Sequence, residues 1–198
     1  MKYDIVIVGL GGQGILTIGN IITQAALDNN IPAYFYPLKG MAQRGGFVKV
    51  QVRLGKKDPG PYIPAKGADL VISMERSESL KAIPYIRPGK EFLLYDQVWT
   101  PTAVMLGKEE YPSLDQVCQE IKKAKGKVLT INPDELPVYE DYPVSPNVYI
   151  IGSIMGHTDL GKLMNPDSTL STIKSRWKKG VERNSFAFQS GMAAELSK

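Results

Sequence analysis

Short apolar runs, broken by glycine, proline and charged stretches, set the rhythm of this chain. The run "YDIVIVGL" (3–10) is β-branched, ends in glycine and predicts a strand buried on both faces. Over 14–30 the period changes. Ile15, Ile18, Ile22, Ala25 and Ala26 share one helical face, and Asn29-Asn30 stops the helix. "IPAYFYPL" (31–38) predicts a second strand. "FVKVQVRL" (47–54) alternates strictly, with Val48, Val50, Val52 and Leu54 on one side and Lys49, Gln51 and Arg53 on the other. That pattern predicts a strand with one wet or partner-facing side. Further strands are expected at 68–74, 91–96 and 127–132. Residues 75–86 predict a helix cut short by Pro84, and Ser113 with Gln116 opens another helix in capping-box spacing. Residues 56–67 form a proline- and glycine-rich loop, and 97–112 a long connection with the length of a lid or hairpin. "NVYIIGSIMGHTDL" (147–160) is apolar all round and predicts a buried helix, and 167–196 predicts two helices bending near Gly180.

Strands alternating with helices predict an α/β fold: an open, mostly parallel sheet with helices on both faces. No repeat or linker interrupts the 198 residues, so 1–198 reads as a single domain. The net charge of +4 permits an anionic ligand without requiring nucleic acid or a membrane, and neither is expected as a partner. The lone cysteine, Cys118, excludes an internal disulfide and cannot supply the thiolates of an iron–sulfur cluster or a structural zinc. Cys118 falls mid-helix beside Val117 and Ile121 and reads as a packing residue. His157 is the only histidine and ends a helix, which suits a structural role. No metal site and no catalytic residue is expected. The start of the chain lacks signal-peptide architecture, and no apolar segment approaches the roughly 20 residues that span a bilayer, so the expected location is cytoplasmic.

Candidate chemistry sits on two glycine loops. "GLGGQG" fits G-x-G-x-x-G with Gly9, Gly11 and Gly14 between a strand and a helix; Gly12 and Gln13 complete it. Glycines let the backbone approach a ligand while the helix N-terminus presents free N–H groups to an anion. An NAD site also wants an acid at the end of the second strand, and "YFYPLKG" has none. An NADP site would rely on Lys39 or Arg44 for the 2′-phosphate. A phosphate or pyrophosphate of another ligand also suits the loop, and so does tight packing of the helix alone. The second loop is Gly40 to Gly46, at the carboxyl end of the second strand. There Met41, Gln43 and Arg44 precede Gly45 and Gly46: a fork of donors beside two residues that remove steric bulk. It reads as an interface or ligand loop, with the polar side of 47–54 extending the contact.

"DIVIVGLGGQGILTIGNII", "GMAQRGG" before an alternating strand, "ADLVISME", "NVYIIGS" and "KKGVERNSFAFQSG" occur in this order over nearly the whole chain. Together they resemble the gamma subunit or domain of 2-oxoacid:ferredoxin oxidoreductases, nearest to the small (beta) subunit of the indolepyruvate branch. The resemblance implies a Rossmann-like domain in a complex that converts a 2-oxoacid to an acyl-CoA. It implies a large partner carrying thiamine diphosphate, Mg and iron–sulfur clusters, with ferredoxin as the indirect electron acceptor. It also implies that this chain helps form the coenzyme A side of the site, is inactive alone, and homodimerises when isolated through the face meant for its partner. Lys179, Glu182 and Asn184 match the family's C-terminal pattern, which makes Lys179 and Asn184 candidate coenzyme contacts beside the basic residues Lys174, Arg176 and Lys178. Before GMAQRGG the family often carries an acidic residue and a histidine, as in "EVHGMAQRGG"; this chain has "YPLKGMAQRGG", with Leu38 and Lys39 at the last two of those positions. A Gly-Asp-Gly thiamine motif is missing from the sequence. Glu75, ending "LVISME", orders a nearby loop or caps the next helix. Tyr149 and Met155 are core or interface. The alternatives are a self-sufficient NADP-type reductase and a stand-alone binding or assembly paralogue.

Overall fold

The computed structural model describes residues 2–39, 45–55 and 59–197. Six strands form one sheet: β1 (Tyr3–Leu10), β2 (Ala33–Lys39), β3 (Phe47–Leu54), β4 (Ala68–Ser73), β5 (Ile86–Tyr95) and β6 (Lys127–Ile131). They lie in the order β2-β3-β1-β4-β5-β6, and β7 (Val138–Tyr139) and β8 (Tyr142–Pro143) make a separate small hairpin. The helices are α1 (Ile15–Asp28), α2 (Ser79–Ala82), α3 (Thr102–Met105), α4 (Leu114–Lys123), α5 (Pro146–His157), α6 (Leu160–Leu163), α7 (Pro166–Arg176) and α8 (Val181–Met192).

The expected mostly parallel sheet is present. The exception is β3, antiparallel to both β1 and β2. Residues 40–46 are too few for a crossover, so the chain must return beside its own strand.

Side chains of β1 feed two cores in alternation. Ile5 and Ile7 join the face covered by α1, α5, α7 and α8, while Val6 and Val8 join the face covered by α2 and α4. All of these are fully buried, each contributing about 1.5–3 kcal/mol. The predicted capping box is formed: Ser113 Oγ accepts from Gln116 N at 3.2 Å, and Gln116 Oε1 accepts from Ser113 N at 2.8 Å.

The polar side of β3 departs from expectation. It is neither wet nor free for a partner, because the segment 59–63 of the same chain lies over it. Gln51 and Arg53 are 1% and 5% exposed. Gln51 Oε1 accepts from Ile63 N at 2.6 Å, and Arg53 donates to the carbonyls of Gly60 and Tyr62. A proline-rich segment forms few internal hydrogen bonds, so it takes its partners from the strand beneath. Arg53 also forks onto Asp4 at 2.9 and 3.0 Å.

The buried helix α5 runs against α8 with unusual closeness. A Cβ at Gly152 would come within 2.1 Å of the Phe188 carbonyl oxygen, and one at Gly156 within 2.4 Å of that of Met192. Gly191 meets the Tyr149 carbonyl in return. Close packing of the two helices thus accounts for glycine at 152, 156 and 191. It also brings the starts of both helices to one end of the sheet.

Candidate functional site

The carboxyl ends of β1, β4 and β5 share one edge of the sheet with the start of β3. There the two glycine loops meet. Gly11 N donates to the Gly46 carbonyl at 2.9 Å, and Gly45 N to the Gly11 carbonyl at 3.4 Å. Gly45 has a φ of 69° and faces open space. Gly40, Met41, Gln43 and Arg44, the rest of the candidate loop, lie outside the described residues.

In the first loop the side chain of Gln13 folds back over the end of β1. Its Oε1 accepts from Leu10 N at 2.7 Å, and its Nε2 donates to the Met74 carbonyl at 2.9 Å and to Gln97 Oε1 at 3.1 Å. One carboxamide therefore ties β1, β4 and the segment after β5. Gly9 lies beneath it, where a Cβ would meet Gln13, Ile15 and Met74 within 3 Å. Gly14 caps α1 with a φ of 76°, a left-handed conformation that disfavours other residues. A Cβ there would strike the Asn147 carboxamide at 2.0 Å. Asn147 thus rests against the start of α1, the position at which a dinucleotide's pyrophosphate sits.

A cavity of about 700 Å³ opens between these loops and the segment after β5. Leu10, Met74, Tyr95 and Trp99 give it apolar and aromatic walls. Gln13, Gln97 and Asn147 supply carboxamides, and Gly11, Gly12 and Gly45 bring backbone to its surface. A second cavity of about 410 Å³ adjoins it through Pro146 and is lined by Lys179, Gly180, Arg183 and Asn184. The starts of α5 and α8 both reach it, and neither has a side-chain cap. Their open N–H groups and the two cationic side chains make this end electropositive. The fold therefore brings Lys179 and Asn184 close to the first glycine loop although 165 residues or more separate them from it in sequence. Lys174 and Lys178 do not line it.

Of its two expected roles Glu75 takes the ordering of nearby loops, since α2 has no side-chain cap. Its carboxylate is buried at the end of β4; Oε2 accepts from Ser77 Oγ and Glu78 N at 2.7 and 2.8 Å. Oε1 accepts from Trp99 N at 3.2 Å and from the Tyr111 hydroxyl. Burial and then the Glu75 carboxylate push the Tyr111 hydroxyl up to about 12. The connection 97–111 is thus a strap pinned at both ends, and its middle carries the single-turn α3.

His157 is exposed at the end of α5. Cys118 is half-buried against the second core, and burial pushes its thiol up. Among the described residues no cluster of histidine, cysteine and carboxylates can hold a metal, and no helix is long and apolar enough to cross a membrane. Sequence reasoning missed Asn147, Gln97 and Trp99. Asn147 was readable only as the lone amide opening an apolar helix, and Trp99 only as a large aromatic in an unpatterned connection.

The family model described as pyruvate ferredoxin/flavodoxin oxidoreductase matches residues 4–194. An indolepyruvate oxidoreductase subunit IorB from Archaeoglobus fulgidus is 34% identical over 157 residues, 79% of this chain and 78% of that protein. Its counterpart from Methanothermobacter thermautotrophicus is 30% identical over 195 residues, 98% of each chain. The fold is shared with pyruvate oxidoreductase subunit PORC of Thermotoga maritima, at TM-score 0.75 and 15% identity, over 100% of this chain and 99% of that one. It recurs in 2-oxoglutarate:ferredoxin oxidoreductase of Magnetococcus marinus, solved with 2-oxoglutarate, coenzyme A and succinyl-CoA. There the TM-score is 0.64 at 17% identity, over 97% of this chain and 30% of that one.

Proposed function

The chain belongs to the pyruvate ferredoxin/flavodoxin oxidoreductase family and is a small subunit of a 2-oxoacid:ferredoxin oxidoreductase; from that premise we propose that it serves an indolepyruvate-type complex and lines the coenzyme A side of its site. The relatives' names support the substrate class. The observation that carries the coenzyme reading is the shared edge: the bridged glycine loops and the Lys179–Asn184 cavity adjoin through Pro146.

Each group has a job suited to its chemistry. Lys179 neutralises phosphate, Asn184 offers a neutral hydrogen bond, and the open N–H groups of α5 and α8 stabilise negative charge. Gly11, Gly12 and Gly14 allow a ligand to approach the backbone closely, and Gln13 holds the loop in shape. The second loop, Gly40 to Gly46, meets the partner subunit.

The residues of this chain do not fit thiamine diphosphate or an iron–sulfur cluster. It has one cysteine and lacks the Gly-Asp-Gly motif. Carbanion chemistry and electron transfer to ferredoxin therefore belong to partner subunits, and this chain contributes binding and orientation.

Anaerobic affinity purification from the native cell, with mass spectrometry and an absorbance spectrum, tests the assembly. A brown complex with a thiamine-binding, cysteine-rich subunit is expected; a colourless chain recovered alone overturns it. In the complex, Lys179→Ala raises KM for coenzyme A about tenfold and leaves kcat at saturation near normal, the pattern of lost uniform binding. An unchanged KM removes Lys179 from the coenzyme site.

A further inference from the structure

The last described residues, 193–197, turn back onto the sheet. Thr130 N donates to the Ser197 carbonyl at 3.1 Å, so this tail meets the outer edge of β6. Between the tail, β6 and the start of α4 a cavity of about 500 Å³ opens, within the range that holds small ligands. Leu114, Ile131 and Leu196 give it apolar walls, and Glu135, Glu195 and Tyr149 also line it. It shares no lining residue with the two cavities described above.

Hydrogen-bond accounting shows what this cavity lacks. Its amide and threonine donors are spent inside the chain. Asn132 Nδ2 donates to Glu135 Oε1 at 3.0 Å, and Thr130 Oγ1 to the Ser197 carbonyl at 3.4 Å. Asp96 is spent as well, because Arg76 forks onto its two oxygens at 2.6 and 2.8 Å. The remaining acceptors are not. Glu195 has no hydrogen bond or ion pair with any described residue, and Glu135 Oε2 has none either.

Tyr149 makes this more than a pair of surface carboxylates. The residue is only 8% exposed, and its hydroxyl has no partner among the described residues. Burial, and then the charge of Glu135, push that hydroxyl above the usual phenol range, which sets it in the field of the carboxylate beside it. A buried hydroxyl and two unspent carboxylates, on a chain whose net charge is +4, call for a cation rich in donors. A divalent metal is a poor match, since no group of three or more histidines, cysteines and carboxylates among the described residues can hold one. An ammonium group carries three N–H donors on a single charge.

We propose that this cavity is a binding site for a primary alkylamine in its ammonium form, its head held by Glu195, Glu135 and the Tyr149 hydroxyl and its chain laid against Leu114, Ile131 and Leu196. Neither Lys179 nor Asn184 lines this cavity, so the coenzyme reading and this one fail independently.

The test is calorimetric titration of the full chain, and then of the assembled complex, with n-pentylamine, pentanol and magnesium chloride at neutral pH and fixed ionic strength. Saturable binding of pentylamine is expected in both, with pentanol and magnesium far weaker. Glu195→Gln weakens it about tenfold and Tyr149→Phe about fivefold. Glu195 is exposed, so its substitution leaves the fold intact and keeps the test decisive. The proposal is overturned if pentylamine gives no saturable heat, or if pentanol binds as tightly, which leaves an apolar pocket only. Magnesium binding that displaces the amine overturns it in favour of a metal site. Unchanged affinity in Glu195→Gln, or binding that disappears in the complex because a partner covers the cavity, also overturns it.

Discussion

The two edges of the sheet are built on opposite plans. At the amino edge, charges are paired within the chain, from the buried Arg53–Asp4 fork to the partly solvated Lys90–Asp159 pair. Arg53 forks onto Asp4, Arg87 pairs with Asp69, and Lys90 and Lys162 hold Asp159. At the carboxyl edge the polar groups lining the larger cavity are carboxamides and backbone, and Asn147 and the Nε2 of Gln97 have no side-chain hydrogen-bond partner among the described residues. The comparison separates stability from binding. Charges that satisfy one another fix strand register and offer nothing to a ligand, whereas neutral groups with spare capacity can wait unpaired at modest cost.

The largest expected effect breaks the closed edge. Asp4→Ala strands the buried Arg53 and costs about 3–5 kcal/mol in urea unfolding, while ligand binding to the surviving folded chain is unchanged. At the open edge Gly14→Ala costs about 2 kcal/mol, from its left-handed backbone and the clash with Asn147. Adding Asn147→Ala recovers the clash portion alone, which a double-mutant cycle measures. Tyr111→Phe unpins one end of the strap and costs about 1.5 kcal/mol, with faster hydrogen exchange in residues 97–111. Because folding raises the Tyr111 value from 10.0 to about 12, its contribution is complete below pH 10 and is lost as pH rises toward 12. The variant flattens that alkaline loss.

The smallest effect lies at the rim of the closed edge. Side-chain hydrogen bonds from Lys90 and Lys162 lower Asp159 from 3.8 to about 2. Its contribution is present above pH 3.8 and lost as pH falls toward 2. Asp159→Asn removes a small part of the acid sensitivity, because this pair is partly solvated and water screens it.

Periodicity made most of the fold legible. The alternation of β1, the stripe of α1, the capping box of α4 and the all-round apolarity of α5 each reported local burial. What periodicity does not report is who covers a face. Lys49, Gln51 and Arg53 alternate as a solvated side would, yet residues 59–63 supply two carbonyls to Arg53 and an N–H to the side-chain oxygen of Gln51. The β7–β8 hairpin, α3 and α6 span so few residues that no repeat can develop. The first glycine loop was legible through its spacing, and Lys179 and Asn184 through their motif. Their convergence was not, because it depends on how α8 leans on α5. Gln97 and Trp99 left no trace because their roles come from Gln13 and Glu75, which hold them from distant positions.

The glycine seam between α5 and α8 also governs how this chain can drift over generations. At Gly152, Gly156 and Gly191 the next-smallest side chain already collides with a carbonyl oxygen of the facing helix. No single exchange there is neutral, and a compensating change would have to move a backbone rather than trim a neighbour. Lineages descended from a common ancestor can therefore recolour the surface of α8 freely, while the angle between these helices, and with it the shape of the electropositive end they share, is inherited as a unit.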